Sequence, residues 1–473
     1  MQVFVYMRQK KSGKIIMKFG GTSVGSPEAI KQLISIVSIS KDPVAGVVVS
    51  AFSQVTNQLV EAAELASKGN KQYRLTFTAI AKRHTDAICE LIENKRLQKE
   101  TVENVEKTLN ELKHILQGVC LLRELTPKIL DTIMSYGELL SAQIIAQSFN
   151  DKKIDAEFLD ARKFIRTDAV FGSARVQLQY SYAAIKEHFA KPKSSLKIIT
   201  GYIGSTEKKE TTTFGRGGSD YTASVFGAAI KASKIEIWTD VDGVLTADPR
   251  KVPSAFTIKQ LNYQEAMEMS HFGAKVIYPQ TMIPAYTEQI PLVIRNTFHP
   301  QFLGTIISTK TSTDSIIKGI SSIEKISLIL VEGSGLRGTH GVAARLFAAL
   351  ATQQINIILI TQASSEYSIC LAIDSKDKEK AKEAIEGVFN HEMQDKLIDP
   401  LILEDQLAII AVVSEQMVNS IGFEGKLFTS LGKEKINIKA IALGSSERSI
   451  SFVIAKKDEV KALRAIHQTF FNK

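Results

Sequence analysis

From Lys14 to about Thr305, short β-branched runs alternate with longer amphipathic segments. IIMKF, SPEAIKQLISIVSI and VAGVVVSAF read as strand, helix and strand, which is α/β order. Ser26 stands where a helix N-cap belongs, and Pro27 follows it at a position where its missing N–H costs nothing. The stretch from Gln58 to Leu125 is charged, with apolar residues three and four apart, and predicts a helical excursion from the sheet. LKIITGYIG and IEIWTDVDGV are further strand runs, each ending in a Gly-bearing turn, with the helix-forming YTASVFGAAIKAS between them. Parallel sheets bind ligands at the carboxyl ends of their strands, where all these Gly-rich turns fall.

After Thr305 the polar stretch STKTSTDS reads as a linker. Beyond it lies an internal repeat. Residues 355–373, INIILITQASSEYSICLAI, align without a gap to residues 436–454, INIKAIALGSSERSISFVI, at an offset of 81 with ten identities in nineteen positions. Two copies at this period mean a duplicated domain, since solenoid repeats are shorter and more numerous. Each copy reads βαββα, the order of a ferredoxin-like unit. The second copy lacks an obvious last strand, so its sheet edge is completed either by residues around Lys318 to Lys325 or by a partner chain.

Composition narrows the field. A chain of 473 residues, 44% hydrophobic and 23% charged, is long enough for about three domains and is neither disordered nor a membrane protein. The longest apolar runs, such as Leu407 to Val413, fall well short of a bilayer. A net charge of +9 suits anionic small molecules, but the basic residues are scattered, so no nucleic-acid partner is expected. Cys89, Cys120 and Cys370 lack metal-ligand or disulfide spacing and are expected to be three buried thiols in a reducing, cytoplasmic setting. Residues 1–13 place their basic cluster after the apolar residues, the reverse of a secretory signal, and read as a tail.

Several turns carry candidate chemistry. Lys18-Phe19-Gly20-Gly21-Thr22-Ser23-Val24-Gly25 fails as a Walker A loop, because Ser26 and Pro27 stand where Lys and Ser/Thr are required. A lysine at a strand end, followed by a Gly-rich turn into a helix, still makes a phosphate site from bare N–H groups; the lesser alternative, were it to stand alone, is a tight βα turn with a solvated lysine. Phe214-Gly215-Arg216-Gly217-Gly218-Ser219-Asp220 is a second such turn, carrying a cation, a hydroxyl and a carboxylate, and Arg216 has the planar fork that suits a carboxylate. Trp238-Thr239-Asp240-Val241-Asp242-Gly243 is no EF-hand, and Asp242-Gly243 by itself reads as a turn. Lys275 in Phe272-Gly273-Ala274-Lys275 and Glu138 in Ser135-Tyr136-Gly137-Glu138 are weak alone, a solvated lysine and a helix-start acid.

Together KFGGTSVG, SYGELLSA, TTTFGRGGSDYTA, WTDVDGV, TADPRKV and HFGAKVIYP resemble aspartate kinases of the amino-acid kinase family, in that family's order. The duplication resembles tandem ACT domains. ITQASSEYSI and IALGSSERSI look most like those of bifunctional aspartokinase–homoserine dehydrogenases. The resemblance implies an amino-acid kinase fold, a mainly parallel sheet between helices, over residues 14–305. A linker at 306–325 and ferredoxin-like ACT domains at 326–400 and 401–473 complete the expected order. It implies phosphoryl transfer from ATP, with Mg²⁺, to the β-carboxylate of L-aspartate, the first step of lysine, threonine and methionine synthesis. Lys18 and Asp220 would be catalytic, with Lys18, Gly20, Gly21, Thr22, Ser23, Thr239, Asp240, Asp248, Arg250 and Lys275 around ATP. Ser50, Thr56, Glu138, Arg216 and Ser219 would hold aspartate, Gln362 an amino-acid effector, threonine or lysine, and the ACT domains would pair subunits in a homodimer or larger oligomer.

Three departures qualify the resemblance. Leu245 replaces the tyrosine of the family's GVYT stretch, which removes a nucleotide contact. Leu443 stands where the second copy's equivalent of Gln362 belongs, and a buried leucine cannot hydrogen-bond an effector. No GxGxxG follows a strand, so homoserine dehydrogenase activity is not expected of this chain, which reads as a monofunctional relative or a separated kinase portion. The alternatives are a carboxylate or carbamate kinase of the same fold, against which Arg216 with Glu138 speaks, and an amino-acid-binding regulator with an inactive kinase domain. Retention of Lys18, Arg216 and Asp220 argues against the second.

Overall fold

The computed structural model describes residues 13–191, 195–272, 277–310, 316–336, 340–362, 367–443 and 448–471. The chain divides into two units. The first holds residues up to Val244 with Lys259–Tyr263 and Val276–Lys310, and the second holds Leu245–Ile258, Gln264–Lys275 and everything from Thr311.

In the first unit β1 (Ile15–Phe19) leads through a short turn into α1 (Pro27–Ser38) and β2 (Val44–Val49), the predicted βαβ start. Ser26 caps α1 by accepting a hydrogen bond from the Ala29 N–H at 3.3 Å, with Pro27 at the first helical turn. The helical excursion is four helices: α2 (Val55–Ser67), α3 (Tyr73–Leu91), α4 (Lys95–Leu122) and α5 (Pro127–Asp151). Along α4 the buried residues Val105, Leu109, Leu112, Leu116 and Val119 recur four and three apart, one stripe of a long helix. There follow β3 (Ala156–Leu159), α6 (Leu178–Ala190), β4 (Leu196–Thr200), the small hairpin β5 (Ile203–Ser205) with β6 (Thr211–Thr213), α7 (Gly218–Ala229) and β7 (Ile235–Thr239). The run closes with β8 (Gln260–Asn262), α9 (Pro279–Thr287), β9 (Leu292–Asn296) and β10 (Thr305–Ser308), while the intervening α8 (Tyr263–His271) groups from Gln264 onward with the second unit.

Eight strands form one sheet in the order β3-β4-β2-β1-β7-β9-β10-β8, parallel throughout except where β10 meets β9. β1 is central, with Lys18 in register with Val48 on one side and Ile237 on the other. Its strand neighbours Met17 and Phe19 point to the opposite face and join a core with Ile30, Leu33, Val47, Leu59, Leu140 and Ile198.

In the second unit β11 (Gly319–Glu332), α10 (Val342–Thr352), β12 (Ile357–Gln362), β13 (Ser368–Asp374) and α11 (Lys378–Val388) form the first repeat copy, followed by the short α12 (Asn390–Gln394). The second copy is β14 (Ile402–Val413), α13 (Phe423–Lys433), β15 (Ile438–Leu443), β16 (Ser449–Ala455) and α14 (Glu459–Phe471). All six strands make one antiparallel sheet, β12-β13-β11-β14-β16-β15. The missing strand comes from this chain: Gly319–Glu324 pairs with Val413–Ala408, and beyond the irregularity at Lys325, which has φ 60°, β11 continues into the first copy. Thus residues 306–325, read as a linker, carry all but the first residue of β10 and the start of β11.

Two expectations fail on burial. Cys89 is exposed, and Cys120 and Cys370 are only partly buried, packing at the margins of core clusters rather than inside them. Leu443, expected to be buried, is 54% exposed at the end of the outermost strand β15, which has a neighbour on one side only. No described helix is long and apolar enough to cross a membrane.

Candidate active site

A cavity of about 490 Å³ opens at the carboxyl ends of β1, β2, β4 and β7, lined by the turns that follow them and by the Gly-rich turn between β6 and α7. Lys18 and Asp220 meet in it, Nζ to Oδ1 at 2.6 Å, both largely buried. Lys18 arrives from the end of a central strand and Asp220 from the first turn of α7. Gly217, at φ 75°, is the residue before that helix, a backbone conformation that glycine adopts without strain. The first N–H groups of α7 lack helical partners, and Gly217, Gly218 and Ser219 line the cavity, so this helix end favours an anion there.

Gly20, Gly21 and Thr22 line the opposite wall, and the turn after β2 contributes Ser50, Ala51, Phe52, Ser53, Gln54 and Thr56. Ser50 Oγ donates to Ser219 Oγ at 3.0 Å, joining two loops far apart in sequence. Glu138, deep in α5, accepts the Ala51 N–H on Oε1 at 3.2 Å, while Oε2 has no hydrogen-bond partner among the described residues. The approach depends on Gly137, where a Cβ would come within 2.7 Å of the Ala51 methyl. Burial pushes the Glu138 pKa up to about 8 against the opposing pull of the Ala51 N–H. A half-satisfied buried carboxyl facing a cavity is suited to receive a cation.

The remaining predicted residues divide. Thr239 and Asp240 line the cavity at the end of β7. Arg216 is exposed on the loop whose neighbours Gly215 and Gly217 form the rim. Ser23, expected to cradle a nucleotide, is fully buried instead, with Oγ 2.7 Å from Thr297 Oγ1, and braces the turn from behind. Asp248 and Arg250 belong to the second unit, where they pair at 2.7 Å. Gln362 is exposed at the end of β12, and Lys275 lies outside the described residues.

Sequence reasoning missed Tyr202, Asn57 and Gln54, which line the cavity, and Arg83, which does not. Arg83 on α3 donates to the carbonyls of Ser53 at 2.6 Å and Gly25 at 2.7 Å, tying the turns after β2 and β1 together. No motif marks it, because its partners are main-chain oxygens far away in sequence. Asp131 is similar: its Oδ2 accepts N–H groups of Thr213 and Gly172, both at 2.9 Å, and holds the Gly215–Gly217 approach. Among the described residues no group of three or more His, Cys, Asp or Glu could hold a metal alone. The single carboxylates of Asp220 and Asp240 fit Mg²⁺ only where ligand phosphates complete its shell.

A lysine–aspartate pair, a helix N-terminus and glycine turns thus converge on one cavity and offer it groups suited to anions. Comparison with known proteins agrees. Residues 13–296 match the amino acid kinase family model, and residues 329–389 and 410–470 each match an ACT domain. The chloroplastic bifunctional aspartokinase/homoserine dehydrogenase 1 of Arabidopsis thaliana is 34% identical over 466 residues, covering 96% of this chain and 51% of that protein. The chain thus spans about half the length of such bifunctional relatives. The lysine-sensitive aspartokinase 3 of Escherichia coli is 30% identical over 464 residues, with 97% of this chain and 99% of that one covered. The crystal structure of E. coli aspartokinase III with aspartate and ADP superposes with a TM-score of 0.81 at 29% identity, covering 97% of this chain and 100% of that one.

The chain belongs to the aspartokinases, phosphotransferases of the amino acid kinase family that carry paired ACT domains.

Proposed function

We propose that the chain transfers the γ-phosphoryl group of ATP to the β-carboxylate of L-aspartate, giving 4-phospho-L-aspartate, the entry to lysine, threonine and methionine synthesis. The observation that carries this reading is the Lys18–Asp220 pair at 2.6 Å in a cavity also lined by Glu138, whose buried carboxyl is only half-satisfied among the described residues. A carboxylate with an ordinary pKa near 3.9 is already ionised at neutral pH, so the acceptor needs no general base. What it needs is positioning and relief of charge repulsion as two anions approach.

Lys18 supplies the cation between them, and Asp220 keeps its ammonium in place while the N-terminus of α7 and the Gly21 end of the first turn, beyond the Gly20 N–H that is given to the Trp238 carbonyl at 3.0 Å, donate N–H groups to phosphate oxygens. Glu138 takes the substrate ammonium, Arg216 closes on a carboxylate, and Ser50, Thr56 and Ser219 supply hydroxyl contacts. Thr22, Thr239 and Asp240, which line the cavity, hold ATP. Mg²⁺, bound chiefly by the nucleotide, neutralises phosphate charge. The E. coli relative is named for its sensitivity to lysine. We assign the paired ACT domains of this chain an amino-acid effector, lysine or threonine, near Gln362, and pairing between subunits of a homo-oligomer. Leu443, wherever it is exposed, still offers no hydrogen bond to such a ligand. A cytoplasmic setting fits three cysteines that form no disulfide.

Trapping of the acyl phosphate with hydroxylamine tests the reading. Hydroxamate formation should require both MgATP and L-aspartate. Its absence at any aspartate concentration would refute the assignment, and equal rates with other dicarboxylates would refute the role given to Glu138.

A further inference from the structure

The turns after β1 and β2 both line the cavity, and they also lie against each other. A Cβ on Gly25 would come within 3.0 Å of Ser53 Cβ, and one on Gly21 within 3.3 Å of the Ala51 carbonyl oxygen. Despite this close packing, among the described residues no hydrogen bond runs directly between residues 20–25 and residues 51–56. Arg83 supplies the link. From α3 its two terminal nitrogens reach the Gly25 carbonyl at 2.7 Å and the Ser53 carbonyl at 2.6 Å, one in each turn. The planar fork fixes the spacing of those two oxygens, which neither turn fixes by itself.

The residues around Arg83 stiffen this grip. Phe52, buried in the second turn, stacks on the His84 ring at 4.8 Å with an interplanar angle of 8°, and the Arg83 guanidinium lies 5.9 Å from the centroid of the same Phe52 ring. His84 is itself buried, and its Nδ1 is 2.7 Å from the Ile80 carbonyl. Gln54, next to Ser53, has φ 69°, a left-handed conformation that a non-glycine residue keeps only where its surroundings impose it. The Val55 N–H donates to the Phe52 carbonyl at 2.9 Å and closes that strained turn. Burial holds the Arg83 guanidinium below its ordinary pKa, and no described carboxylate opposes the shift. A half-buried arginine that lacks an acidic partner and commits its fork to two main-chain oxygens serves geometry, not charge pairing.

We propose that Arg83 is a positioning residue for phosphoryl transfer: by tying the two turns together it sets the distance between the bound phosphoryl group and its carboxylate acceptor. The inference rests on the kinase reading, in which the first turn holds ATP and the second, with Ser50 and Thr56, holds aspartate. Arg83 does not line the cavity, so its loss leaves each ligand's own contacts in place and alters the alignment between them. A misplacement of about 1 Å costs roughly a hundredfold in rate.

The test is Arg83→Lys in the full chain, together with Arg83→Ala assayed in added guanidinium. A lysine is a point charge that reaches one carbonyl and cannot span both. In the hydroxamate assay kcat should fall about thirty- to hundredfold in Arg83→Lys, while the KM for MgATP and the KM for aspartate each stay within about threefold of wild type. Guanidinium, too dilute to unfold the chain, should restore a saturable part of kcat to Arg83→Ala and should not raise the wild-type rate. Hydrogen exchange read by mass spectrometry supplies a measure that needs no turnover. In Arg83→Lys the peptides holding the Gly25 and Val55 amides should both exchange faster, while those of β1 and β2 keep wild-type protection. Unchanged kcat, a loss carried by either KM, no rescue by guanidinium, or unchanged exchange in the two turns would overturn the proposal. If the alanine variant does not fold, the kcat and exchange of Arg83→Lys decide. A wild-type chain that forms no hydroxamate would sink the kinase reading, and hydrogen exchange would still judge the tie between the turns.

Discussion

Replacing Glu138 with glutamine keeps the shape and an oxygen for the Ala51 N–H but removes the titration. In the wild-type chain burial raises this carboxyl to about 8 from 4.5. A folded pKa above the unfolded one means that the native state holds the proton more tightly. The associated stability is complete below about pH 4.5 and is lost as pH rises through 8. Integrated between about pH 5 and pH 8, the wild type should lose roughly 3–4 kcal/mol of stability relative to Glu138→Gln, a difference that urea melts at several pH values resolve. Ligand binding supplies the second measurement. At pH 7 about nine-tenths of the Glu138 carboxyls carry a proton, and a substrate ammonium against Oε2 should expel it. Calorimetry in buffers of different ionisation enthalpy should therefore show close to one proton released per aspartate at pH 7, about one-tenth at pH 9, and none at either pH in the glutamine variant, whose aspartate affinity falls. Parallel stability curves for the two proteins, or proton release that persists in Glu138→Gln, would refute both the buried protonated state and its assignment to the ammonium.

Lys18→Met should cut phosphoryl transfer roughly a hundred- to thousandfold while the melting profile stays cooperative; retained turnover in the hydroxamate assay would discard its charge-relief role. Arg216→Lys should raise the aspartate KM, because a point charge cannot reproduce a planar fork, and leave ADP affinity alone; an unaltered aspartate dependence contradicts the clamp. A saturating amino-acid effector should stabilise the chain by about 2.7 kcal/mol at a hundredfold excess over its dissociation constant. If neither lysine nor threonine shifts the melt, the ACT pair has another ligand.

Local signals in the sequence determined a good deal. The cap at Ser26 and Pro27, the stripe of α4, the βα turns at strand ends and the 81-residue repeat all depend on neighbours within a few positions or on self-similarity, so periodicity exposes them. The residue types at the site were legible for the same reason, since Lys18, Glu138 and Asp220 sit in short motifs. Tertiary structure alone decided how those residues work. The 2.6 Å approach of Lys18 to Asp220, the unpartnered oxygen of Glu138, the inward turn of Ser23 and the exposure of Cys89 and Leu443 depend on which faces meet across the chain. The segment Leu245–Ile258 shows the limit most clearly. TADPRKV resembles a family motif, but only folding reveals that Thr246 and Lys251 are held by α14, some two hundred residues downstream, because long-range hydrogen bonds and ion pairs leave no periodic trace.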